Sequence, residues 1–134
     1  MRALGGIALA LTLAGCTSVD KPVCPVGQES LKTAQLFFGQ NIGAKPGVSD
    51  ADFRKFVDDE LTPRLPNGLT ILNGGGQWRG SENQLIREAS KVVVIVLPAK
   101  GDATKRIDAA RGAYKQRFKQ ESVLLVTQAS CVSF

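Results

Sequence analysis

Histidine is absent from all 134 residues, which removes every His-based catalytic triad, His-ligated zinc site and imidazole pH switch. Cysteine is scarce, with three residues and no C-x-x-C spacing that would activate a thiol. Tryptophan occurs once. The glycine run Gly74 to Gly76 lacks a following Lys-Ser/Thr and a helix, so it is not a phosphate loop. No repeat or low-complexity tract is visible. What remains, 43% hydrophobic and 22% charged residues, is the composition of one packed globular domain, and it excludes disorder and collagen.

The first sixteen residues read as an address. Arg2 supplies a positive start, Ala3 to Ala14 an apolar stretch, and small residues precede Cys16, in the order an export signal requires. The stretch is too short for a bilayer-spanning helix, which needs about 20 apolar residues. Leu13-Ala14-Gly15-Cys16 resembles the lipobox of bacterial lipoproteins at all four positions. That resemblance implies cleavage before Cys16 and acylation of its thiol, with residues 1–15 as signal peptide, 16–31 as tether and 32–134 as a single domain. The alternative is a buried N-terminal helix with an incidental cysteine. Thr17 stands where an inner-membrane retention signal has Asp, so by resemblance to enteric sorting rules the expected address is the outer membrane, facing the periplasm. Cys24 and Cys131 are then an even pair in an oxidising compartment, for which a disulfide is the default expectation.

The net charge is +5, unevenly placed: Asp50 to Leu61 holds five acids and two bases, Ala99 to Phe134 seven bases and three acids. The bases are spread around a helical pattern without aromatic interleaving, and an exported protein rarely meets nucleic acid. A solvated face is the reading.

Periodicity gives four strand segments and two helices. Lys32 to Gly39 alternates as a strand, a Gly/Pro loop covers Gln40 to Val48, and Ser49 with Asp52 makes a capping-box-like start for a helix striped by Phe53, Phe56, Val57 and Leu61. Pro63 and Pro66 stop it. Leu69 to Asn73 is a second strand, expected to break at the glycines and resume at Gln77 to Arg79. Lys91 to Leu97 is the third, a start as early as Leu85 across a turn at Gly80 to Asn83 being the alternative; a helix from about Asp102 follows with Ala103, Ile107, Ala110, Tyr114 and Phe118 on one stripe, and Val123 to Gln128 closes. The order β-α-β-β-α-β is the split βαβ of ferredoxin-like α+β folds, a four-stranded antiparallel sheet with both helices on one face. It brings the start of the first strand beside the end of the fourth, and so Cys24 towards Cys131. A simple meander with appended helices is the competitor.

The residues Thr62 to Thr70, Gly76-Gln77-Trp78-Arg79 and Arg87-Glu88-Ala89-Ser90-Lys91 resemble a family of small bacterial lipoproteins classed as domain of unknown function 3574. The resemblance covers Leu36 to the end of the third strand. It implies the class, and brings no activity, cofactor or catalytic residue.

Candidate ligand-binding residues follow from the residue types alone. Trp78 and Arg79, after three glycines, present a flat ring and a guanidinium where backbone can approach a ligand; the alternative is a core aromatic at a bulge. Arg87 and Glu88 flank the third strand, opposite Trp78 and Arg79, and the plain alternative is a cross-strand ion pair. Arg64, in the Pro-rich turn, has a fork suited to carboxylate or phosphate, or covers Trp78. If Arg64, Arg79 and Arg87 converged, they would form an anion pocket with Glu88 orienting one of them. No metal or cofactor is implied, and no spacing specifies a reaction. A lipid-anchored binding or assembly module is therefore preferred over a small hydrolase or isomerase using Arg and carboxylate groups. The third and fourth strands are apolar on both faces, as Val92, Val94 and Val96 against Val93, Ile95 and Leu97 illustrate, so the face away from the helices needs a cover. The cover is a second copy packing sheet on sheet, the tether folding across, or an apolar ligand or partner, and the homodimer is favoured over the tether.

Overall fold

The structure, a computed structural model, describes residues 23–80 and 82–134; Cys16 and the segment 1–15 read above as a signal peptide lie outside the described residues. Strand β1 (Glu29–Gly39) buries Ala34, Leu36 and Phe38 on one face and half-buries the residues between them, because successive strand side chains point to opposite sides. It begins three residues earlier than Lys32. The segment read as a loop holds a small hairpin, β2 (Asn41–Ile42) and β3 (Lys45–Pro46), turned at Gly43 with φ +63°.

Helix α1 (Asp50–Phe56) opens with a full capping box: Ser49 Oγ accepts from the Asp52 N–H at 3.1 Å, and the Ser49 N–H donates to Asp52 Oδ2 at 3.2 Å. It widens into a π-helical turn, Val57–Leu61, before Pro63 ends it. The long hairpin of β4 (Thr70–Arg79) and β5 (Leu85–Leu97) follows, then α2 (Ala103–Phe118) and β6 (Leu124–Val132). The expected break at the glycines is absent. Gly74, Gly75 and Gly76 pair with Ser90, Ala89 and Glu88 in unbroken register, since glycine offers the ladder the same N–H and C=O as any residue.

The sheet order is β4-β5-β1-β6 with every pair antiparallel, the ferredoxin-like arrangement, and β1 between β5 and β6 rules out the meander. The register sets Ala34, Leu36, Val93 and Ile95 on one side, where they pack with Phe53, Phe56, Ile107 and Tyr114 of the helices. Five rings, Phe38, Phe53, Phe56, Tyr114 and Phe118, interlock at centroid distances of 4.7 to 6.2 Å. Cys24 and Cys131 are joined by a disulfide, with Cα atoms 5.4 Å apart.

Candidate functional site

The β4–β5 hairpin outruns the helices. On β5 the side chains of Lys91, Val93, Ile95 and Leu97 are buried beneath them, whereas Leu85, Arg87 and Ala89 on the same side are exposed. β1 stops at Gly39, opposite Ser90, so Gly74–Arg79 and Leu85–Ala89 project as a two-stranded arm. Three glycines strip its outer strand of side chains. An open groove of about 530 Å³ results, lined by Gly74 to Gln77 and by Arg87, Glu88 and Ala89.

Its walls are held from two directions. Arg87 Nε donates to Gln77 Oε1 at 3.0 Å, a bond between directly opposed residues of the two strands. Glu88 leans the other way, across Gly39, and its Oε1 accepts the Asn41 N–H at 2.6 Å. A Cβ at position 39 would lie 2.5 Å from that oxygen, so any larger residue there has to push the Glu88 carboxylate aside. The Tyr114 hydroxyl donates to the Gly39 carbonyl at 2.6 Å. Burial, and secondly the charge of Glu88, push the Tyr114 phenol well above its ordinary range, so it stays neutral. Asn41 completes the shell by donating to the Arg87 carbonyl at 3.5 Å and accepting from Gln120 through its own carbonyl.

The arginines do not converge. Arg79 closes the turn of the hairpin, its guanidinium donating to Asn83 Oδ1 at 2.9 Å. Arg64 pairs with Glu60 at 2.5 Å and lines, with Ile95 and Arg106, a cavity of about 20 Å³, room for a single water. Arg87 and Ile95 lie on one strand, so about 3.3 Å per residue leaves roughly 26 Å between the two places. The anion pocket is thereby excluded, and Glu88 orients no arginine: it holds a backbone amide. Trp78 is half-exposed opposite Ile86 rather than opposite Arg87 or Glu88, and its ring lies 3.9 Å from where a Gly76 Cβ would stand. The strand there has no bulge.

One polar cluster had only a faint signal in the sequence. Lys91 stands in phase with Val93, Ile95 and Leu97, and its buried ammonium contacts Asn73 Oδ1 at 2.6 Å and Asp50 Oδ1 at 2.7 Å. The Lys91 hydrogen bond, then that of Gln40, hold the Asp50 carboxyl below its usual 3.8. Among the described residues no group of three or more His, Cys, Asp or Glu is placed to hold a metal.

The signature of the proteins of unknown function DUF3574 matches residues 33–134. The chain belongs to that family. No curated protein matches it. Among solved structures, this DUF3574 chain is similar to a phage SAM lyase in complex with S-methyl-5′-thioadenosine, at 21% identity and a TM-score of 0.61, covering 84% of this chain and 95% of that one. The apo form of a phage SAM lyase gives 24% identity and a TM-score of 0.59, over 78% and 90% of the two chains. CutA from Synechococcus elongatus gives 8% and 0.50, over 76% and 78%. At these identities the likeness is one of ferredoxin-like fold.

Proposed function

We propose that the protein is a lipid-anchored binding module of the bacterial envelope, held through an acylated Cys16 in the outer membrane and taking a small polar ligand of nucleoside size in the groove of the β4–β5 arm. The observation that carries this reading is the glycine floor. Backbone amides and carbonyls of the edge strand are open to close approach there, beside the exposed Arg87. The anchor rests on Leu13-Ala14-Gly15-Cys16. A second reading, a small envelope enzyme using Arg and carboxylate groups, draws on the fold shared with a lyase whose structure holds S-methyl-5′-thioadenosine.

Calorimetric titration of the full chain with S-methyl-5′-thioadenosine and with adenosine should give a saturable heat of binding that Gly75→Val abolishes. A Cβ at Gly75 meets nothing nearer than 3.9 Å, so the variant fills the floor while keeping the fold. A flat titration with both, or one indifferent to Gly75→Val, would remove the groove as the seat. Mass spectrometry of the ligand afterwards separates the readings, unchanged for binding and converted for an enzyme. In cells, Cys16→Ser should leave an unprocessed precursor without acyl chains, and maturation to the wild-type mass would remove the anchor.

A further inference from the structure

The sheet face away from the helices is apolar at its centre, and nothing among the described residues covers it. The pairing register places Phe37, Leu72, Val92, Val94, Leu124 and Val126 on that face. Leu72 is 50%, Leu124 58% and Val126 41% exposed, in a region where alternation with polar residues would be expected of a solvated sheet. Four strands at about 4.8 Å spacing and about eight residues at roughly 3.3 Å make a footprint near 500 Å² before side-chain relief. That footprint includes Thr33, Gln35 and Thr70 beside the apolar residues; it lies in the upper part of the roughly 300–600 Å² of the largest patch on a typical monomer and below the roughly 800 Å² per partner of a stable interface.

Three further observations choose the occupant. The face carries no lysine or arginine, and its two charged residues, Glu29 and Glu88, stand towards its opposite ends. A surface docking on anionic lipid would be expected to present cations. The segment before β1 starts on the other side: Cys131, to which Cys24 is bonded, pairs with Ser30 and so shares the side of Ala34 and Leu36, while Val23 and Val26 are fully exposed. The arm also needs support, because a two-stranded ribbon is marginal in water and this one continues the apolar row through Ile86 and Trp78. A face apolar at its centre, with its two carboxylates kept to the ends, is complementary to itself there, which is what an interface between identical copies requires.

We propose that this open face is where the chain associates with another copy of itself, sheet on sheet, with Phe37 and Val94 near the centre of the contact. Sedimentation of the full chain in density-matched detergent should give the mass of two copies or a larger whole number, and Val94→Lys should reduce it to one copy with native circular dichroism. Should Val94→Lys fail to fold, cross-linking decides. With a short bismaleimide, Val94→Cys should join copies at least tenfold more efficiently than Lys115→Cys on the exposed side of α2. A monomeric wild-type mass, or equal cross-linking at the two positions, overturns the proposal.

Discussion

Gly39 and Glu88 act as one unit. Replacing Gly39 by alanine drives the Glu88 carboxylate off the Asn41 amide, which is buried, and leaving such an N–H unpaired costs about 1–3 kcal/mol. In a Glu88→Ala background both the clash and the bond are already gone, so the same Gly39→Ala change should cost less than about 0.5 kcal/mol, the ordinary size of a change away from special features. Urea unfolding of the four proteins measures the coupling, and additive losses would show that the two residues act independently. Asp50 offers a pH test. Its carboxyl is lowered first by the Lys91 hydrogen bond and then by Gln40, so the stability it contributes is present above the usual value of 3.8 and is lost as pH falls through the lower folded value. The urea midpoint of Asp50→Asn should therefore fall less steeply below pH 3.8 than that of the wild type. Part of the slope should survive, because Asp52 is lowered by Ser49 and Asp59 by Lys55. The coupling of Gly39 and Glu88 could not be read from residue types: Glu88 and Asn41 are 47 positions apart, and strand pairing alone brings them together.

At the scale of elements the sequence was more legible. The stripes Phe53, Phe56, Val57, Leu61 and Ala103, Ile107, Ala110, Tyr114, Phe118 are buried as their spacing predicts, because helical periodicity is a local property. The glycines of β4 misled for a related reason. They carry no pattern of their own, so only the partner strand reveals that the ladder continues. The ends of β1 and β6 are tied through Cys24 and Cys131, which are 107 positions apart. By chain entropy a closure of this length contributes at most about 4–5 kcal/mol. A Cys24→Ala/Cys131→Ala variant should accordingly melt at a lower temperature than the oxidised wild type, and reductant should lower the wild type while leaving the variant unmoved. An identical melting temperature for variant and wild type would mean that the bridge adds no stability.

For the whole molecule, β-α-β-β-α-β was legible in the order of elements, and the apolar run Val92 to Leu97 announced a strand with apolar residues on both faces, because period-2 patterning depends only on neighbours along the chain. The sequence by itself thus determined the main element types, the ferredoxin-like class and the apolar residues on the second face. The tertiary structure decided what meets what. It sent Arg64 and Arg87 to opposite ends of β5, extended the hairpin beyond the helices so that its glycines floor a groove, turned Glu88 to a backbone amide and seated Lys91 between Asp50 and Asn73. These outcomes follow from inter-strand register and from where the helices end. Both are set by packing among residues distant in the chain, which local periodicity does not encode.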